Sequence, residues 1–158
     1  MKIISHRGNT DGPDPKNENS LKHIEKAIFL GFDVEIDLWF NETERSFLLG
    51  HDSGITKVDL SWILEKKDYL WVHCKNLECI SELSKQKNSW NFFWHQKDFY
   101  TLTSKNYIWT YPGNSLREKS ICVMPEWNKS WPKNVNDISC YGICSDFPSY
   151  LKNLYENS

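Results

Sequence analysis

At 158 residues the chain has room for one domain, 1–158, around a single core. Its formal net charge of −2, from 19 Lys and Arg against 21 Asp and Glu, argues against a broad electrostatic footprint for nucleic acid. No run approaches the ~18 apolar residues of a membrane span, and the apolar start of MKIISHRG is too short for a signal peptide. The expectation is a cytoplasmic protein without stable membrane association. The five cysteines (Cys74, Cys79, Cys122, Cys140, Cys144) contain no CxxC or CxxH pair, so a structural zinc site is not expected. The aromatic share of 15%, with eight Trp, points to large rings filling the core.

In chain order, Lys2 to Ser5 is a first strand ending at His6. Residues 9–17 (NTDGPDPKN) are a loop by composition. Residues 20–30 carry apolar side chains at helical spacing, and Gly31 marks the stop. Residues 32–40 read as a second strand, with 47–50 paired back on it through the turn-like 41–45. A short helix is expected over 59–65, a third strand over 69–74 and a helix over 76–87. A fourth strand (91–95) precedes a single helical turn capped by Asp98. Strands at 107–110, 120–124 and 141–145 follow, with a turn at 111–114 and a polar loop at 127–139. A helix over 148–156 ends the chain.

Strands alternating with helical stretches predict a parallel α/β sheet. Seven strands are visible, and an eighth could be hidden. A full eight-fold barrel usually takes about 250 residues, so the expected fold is a reduced TIM-like (β/α) barrel with short or missing outer helices. An open doubly wound sheet is the alternative. Missing helices would leave apolar strand surface exposed, which favours self-association into a homo-oligomer.

Strand parity puts Asp33, Glu35 and Asp37 on one face and Val34, Ile36 and Leu38 on the other. Adjacent carboxylates repel unless a cation or proton lies between them. A divalent metal on Glu35 and Asp37 is the economical reading. His6 and His51 are the acid/base candidates, since imidazole titrates near neutral pH. Arg7 adds a fixed charge suited to a phosphate oxygen. His23, on the first helix, receives no role.

The order His6-Arg7-Gly8, Glu18-Asn19-Ser20, then Glu35-Ile36-Asp37 and Gly50-His51-Asp52 resembles the glycerophosphodiester phosphodiesterases of the phospholipase C-like superfamily. His73-Cys74-Lys75 is similar to that family's Glu-x-Lys strand end. Ser145-Asp146-Phe147-Pro148 is similar to its TDxP, and Trp109-Thr110 to a WT pair. The resemblance is specific over the first fifty residues and loose over 76–140. It implies metal-dependent hydrolysis of a phosphodiester bond in a small glycerophosphodiester-type substrate. His6 and His51 would be the acid/base pair, Arg7 and Lys75 the phosphate-binding cations, and Glu35 and Asp37 ligands for Mg²⁺ or Ca²⁺. Glu18 and Asn19 would order the first loop.

The family's third metal carboxylate falls at His73 here. By parity His73 shares a face with Trp71 and Lys75, and imidazole suits Mn²⁺, Zn²⁺ or Fe²⁺ better than Mg²⁺ or Ca²⁺. So the metal preference differs, or Glu126 completes the site, or metal binding is weak; a ring simply packed against tryptophans is the remaining alternative. His95 either touches the leaving group or caps its strand. Trp94 and Trp109 either wall the pocket or fill the core. Two other functions stay open: a catalytically weak phosphodiester-binding barrel, and a superfamily lyase that forms a cyclic phosphate.

Overall fold

The computed structural model describes residues 1–85, 90–128 and 139–156. Its ten strands form one sheet. They are β1 (Lys2–His6), β2 (Asp33–Asn41), β3 (Ser46–Leu49), β4 (Thr56–Val58), β5 (Leu70–Cys74), β6 (Phe92–Phe93), β7 (Tyr100–Leu102), β8 (Ile108–Thr110), β9 (Ser120–Val123) and β10 (Gly142–Ser145). Four α-helices are described: α1 (Leu21–Phe29), α2 (Leu60–Lys66), α3 (Leu77–Lys85) and α4 (Pro148–Glu156). A 3₁₀ turn covers Pro125–Asn128.

β1 lies between β2 and β10 and is parallel to both. The sheet continues from β10 through β9 to β8 in parallel, and from β2 through β5 to β6 in parallel. β3, β4 and β7 are antiparallel additions. The backbone N–H of Arg7 donates to the Glu35 carbonyl, and that of Gly50 to the Asp37 carbonyl. Carbonyls two residues apart point the same way along a strand, so β3 continues the edge of β2 where β1 stops.

This corrects the expected architecture. The chain forms a mixed sheet curled into a half-barrel with few short helices, not a reduced TIM-like barrel with strand–helix alternation. The physical reason is chain length. A parallel crossover costs a dozen or more residues, whereas an antiparallel hairpin needs only a few. The chain uses hairpins at 41–45, 50–55 and 103–107, and joins the parallel β8 and β9 through 111–119 without a helix. Three elements differ accordingly. The strand at 91–95 shrinks to β6. The helical turn expected after Asp98 is instead β7, and the Asp98 carboxylate accepts from the Gln96 backbone N–H. β4 has no counterpart in the sequence reading, because three residues are too few to show a period. Residues 86–87 of the expected third helix and most of the 127–139 loop lie outside the described residues.

Parity sorts the side chains into two layers. Val34, Ile36 and Leu38 of β2, with Leu70, Val72 and Cys74 of β5, face outward. There they pack with Ile24 and Ala27 of α1, Ile63 of α2, and Cys79 and Leu83 of α3. α4 packs Leu151 against Ile143. The opposite face lines the inside of the curl with Ile4, Trp71, Phe93, Trp109, Ile121 and Cys144. Large rings fill this interior: Phe93 stacks on Trp109 at 4.5 Å, and Trp71 lies 6.0 Å from Trp109. Asp33, on the same face as Glu35, sits at the far end of the strand. It binds Lys2 Nζ at 2.9 Å and accepts from Trp71 Nε1 at 3.0 Å.

No described helix is long and apolar enough to cross a membrane.

Candidate functional site

The inward side chains at the C-terminal ends of β1, β2, β5 and β10 meet in one place. His6 and Glu35 are register partners on neighbouring strands, as are Asp37 and His73. Tight backbone geometry follows β1. Arg7, Gly8 and Asn19 all have positive φ. A Cβ on Gly8 would stand 3.0 Å from backbone atoms of His23 and Ile24, so only glycine lets α1 come this close. Gly50 is equally constrained: at φ +148°, an added Cβ would collide with the Ser53 carbonyl in the loop that carries His51.

Asp37 is the hub. Its carboxylate is fully buried and lies 2.9 Å from Arg7 Nε, 3.2 Å from Lys75 Nζ and 3.1 Å from His73 Nδ1. Asn19 clamps it from the first loop, donating from Nδ2 to Oδ2 at 3.0 Å and accepting the Asp37 backbone N–H at 2.9 Å. Burial alone would raise the Asp37 pKa, but His73, Arg7 and Lys75 outweigh it and hold the group well below the usual carboxylate range. Glu35 is pushed the other way, by burial first and then by the Asp37 charge. Glu18 accepts from Arg7 at 3.1 Å and from Asn9 at 3.0 Å, which fixes the guanidinium.

His6 is oriented from the other end of the chain. Its Nδ1–H donates to Asp146 Oδ1 at 2.7 Å, leaving Nε2 facing Glu35 Oε2 at 4.0 Å. Burial opposes a charged ring, yet the Asp146 hydrogen bond and the Glu35 charge raise the His6 pKa above 6.5. Asp146 is itself held by Asn9 Nδ2 at 2.7 Å. Glu126 Oε1 accepts from the Asp146 backbone N–H and from Ser145 Oγ, each at 2.9 Å. Glu126 therefore braces the β10 end and stands apart from the Glu35, Asp37 and His73 cluster. His51, half exposed after β3, pairs with Asp52 at 2.6 Å.

Glu35, Asp37 and His73 each present a ligand atom within 4.8 Å of the others. Two observations fit a cation among them. Glu35 Oε2 is buried and accepts no hydrogen bond, a costly arrangement unless a cation meets it. The His73 ring also presents the correct nitrogen. Nε2–H donates to the His95 carbonyl at 3.2 Å, so Nδ1 faces the two carboxylates: protonated, it donates to Asp37; deprotonated, its lone pair is free for an ion. Charge points the same way, since among the described residues the fixed cations paired with Glu18 and Asp37 are Arg7 and Lys75, with Glu35 and Asp146 beside them. One nitrogen with two carboxylates suits Mn²⁺ or Zn²⁺ at least as well as Mg²⁺ or Ca²⁺.

The site opens into a cavity of about 390 Å³. By chemistry its lining divides into a charged half with His6, Arg7, Glu35, His51, His73 and Lys75, and an uncharged half with Trp94, His95, Gln96, Trp109, Tyr111 and Trp127. An adjoining cavity of about 680 Å³ shares His6, Arg7, His51 and Trp127 and reaches Glu18, Asn19 and Asp146. His95 lies over His73 at 4.6 Å, and Trp109 is buried yet still borders the cavity. Burial first, and then the neighbouring His73 and Lys75, lower the His95 pKa to about 4, so its ring is neutral at pH 7.

Sequence reasoning missed Asp146 and Asn9 as partners of His6, and Trp127 as a wall of both cavities. The Ser145-Asp146-Phe147-Pro148 motif at the last strand end was the available signal for Asp146. Its role has a direct check. Asp146→Asn removes a contribution that raises the His6 pKa and leaves burial, which lowers it. The His6 resonance in an NMR titration is expected to shift to lower pH, with phosphodiester turnover down about 10–100-fold. An unchanged titration would show that Asp146 does not govern this ring.

Comparison with protein-family models, with curated proteins and with solved structures finds no match to this chain.

Proposed function

We propose that the protein is a metal-dependent phosphodiesterase of the cytoplasm that hydrolyses a small glycerophosphodiester. The observation that carries this reading is the convergence of His6, Arg7, Glu35, His73 and Lys75 on one cavity, with Asp37 buried behind them. Glu35, Asp37 and His73 would hold the ion. When bound, a divalent ion supplies charge neutralisation and Lewis-acid polarisation at the phosphoryl centre.

The chain's own groups do the rest. Arg7 and Lys75 hold non-bridging oxygens of the phosphate. Asp146 keeps the proton on His6 Nδ1, so Nε2 is the atom that exchanges a proton with substrate. Of His6 and His51, one takes the proton of the attacking hydroxyl and the other delivers one to the leaving alkoxide. A neighbouring glycerol hydroxyl is well placed to attack intramolecularly, and water then opens the cyclic phosphate. Five unpaired cysteines suit a reducing compartment. Tyr100 and Leu102, exposed on β7 at the sheet edge, are the basis for expecting self-association.

One observation favours a second reading, a barrel that binds phosphodiesters without turning them over: Arg7 and Lys75 are both engaged by Asp37. A chelator separates the two. Turnover of a glycerophosphodiester, followed by phosphorus NMR, is expected to stop with chelator and return with added Mn²⁺ or Mg²⁺. Substrate binding with no product under any metal would select the binding barrel. Accumulation of the cyclic phosphate as end product would select a lyase.

A further inference from the structure

The phosphate-binding half of the cavity is charged, but the other half is not. We infer that this second half is a subsite for a sugar, so that the leaving group of the phosphodiester is a neutral pyranose. The inference rests on the phosphodiester reading of the same cavity.

Three aromatic side chains from separate segments face this space: Trp94 after β6, Tyr111 after β8 and Trp127 in the 3₁₀ turn after β9. They are 37%, 43% and 60% exposed, whereas Trp71, Trp90 and Trp109 are buried. None of the three stacks on another ring among the described residues, although Trp109, Phe93, His73 and His95 form a stacked floor beside them. Unstacked rings at a cavity wall offer apolar faces to a ligand with a flat, CH-rich face.

Charge narrows the class. Among the described residues Glu35, set in the Asp37 and His73 cluster, is the one carboxylate that lines the cavity, which disfavours a quaternary ammonium headgroup, whose recognition combines aromatic faces with negative charge. The His95 ring and the Gln96 amide add polar atoms that an alkyl chain would leave unpaired. Hydroxyl groups can satisfy them while the ring face lies on the aromatic wall. A sugar meets both demands.

The test uses the full chain and three probes: glycerol phosphodiesters of glucose, of choline and of a nucleoside. Two readouts are taken, hydrolysis and quenching of tryptophan fluorescence on binding. The glucose diester is expected to have the highest kcat/KM and to bind tightest. Trp127→Ala, an exposed site remote from the core, is expected to lower its advantage over the choline diester roughly tenfold. Equal or better turnover of the choline or nucleoside diester would overturn the sugar subsite while leaving the phosphodiesterase reading intact. Binding of the glucose diester that depends on Trp127, without hydrolysis, would support the subsite and overturn the phosphodiesterase. Absence of glucose-diester binding, or indifference to Trp127→Ala, would overturn the subsite.

Discussion

His6→Ala is expected to cut phosphodiester turnover by about 10²–10⁴-fold while the protein stays folded. His6 is oriented through one ring nitrogen and presents the other to the cavity. Asp146 holds Nδ1 at 2.7 Å, and Nε2 faces Glu35 at the cavity wall. Removing the ring takes away a proton-transfer group at a defined position, and water entering the space cannot reproduce its pKa or aim. The fold should survive because the β1 ladder to β2 and β10 is made by backbone groups, and Ile4 supplies the apolar contact. His51→Ala is expected to lose a similar factor, because acid and base are both required. Retained turnover in both variants would remove the histidines from the reaction. Circular dichroism distinguishes loss of chemistry from loss of fold.

The second large effect is at Asp37. Asp37→Asn keeps the shape but removes the charge around which Arg7, Lys75 and His73 are arranged. Breaking a buried ion pair from one side typically costs 3–5 kcal/mol, about the same range expected here. The sign of the pH dependence follows from the depressed pKa. The wild-type carboxylate contributes stability above its unfolded value, near 3.8, and loses that contribution as pH falls towards the folded value. The variant should lack this acid-side dependence, so denaturant curves of the two proteins should converge as pH falls below about 4. A variant as stable as wild type at pH 7 would mean that the cations do not need this counter-charge. Phosphodiester turnover should fall with the same substitution, because both the metal cluster and the phosphate cations are organised on Asp37.

Much of this site was legible in the sequence, for a geometric reason. Parity along a strand is strict, so reading Asp33, Glu35 and Asp37 onto one face, and Trp71, His73 and Lys75 onto another, needed no knowledge of the fold. The structure places those two faces side by side because β2 and β5 pair with Asp37 opposite His73. What parity cannot give is depth along the strand. Asp33 shares a face with Glu35, yet it lies at the far end, engaged with Lys2 and Trp71. Contacts between distant segments were equally hidden. Asp146 reaches His6 only because β10 returns to pair with β1, joining residues 140 positions apart. Glu126 looked like a ligand because it is acidic and follows a strand, but its Oε1 accepts from the Asp146 backbone and Ser145, apart from the Glu35, Asp37 and His73 cluster. The barrel expectation failed where the chain turned back in hairpins. β4 and β7, at three residues each, carry no period to read.

The most direct test of the account is a calorimetric titration of Mn²⁺ into the full chain and into Glu35→Gln. Glu35 touches the proposed ion site but lies outside the Arg7 and Lys75 ion pairs with Asp37, so its loss probes the site with little effect on the fold. The account predicts stoichiometric Mn²⁺ binding by the wild type and binding weakened at least about 10-fold in the variant. No Mn²⁺, Zn²⁺ or Mg²⁺ binding by the wild type, or binding unchanged by Glu35→Gln, would contradict it.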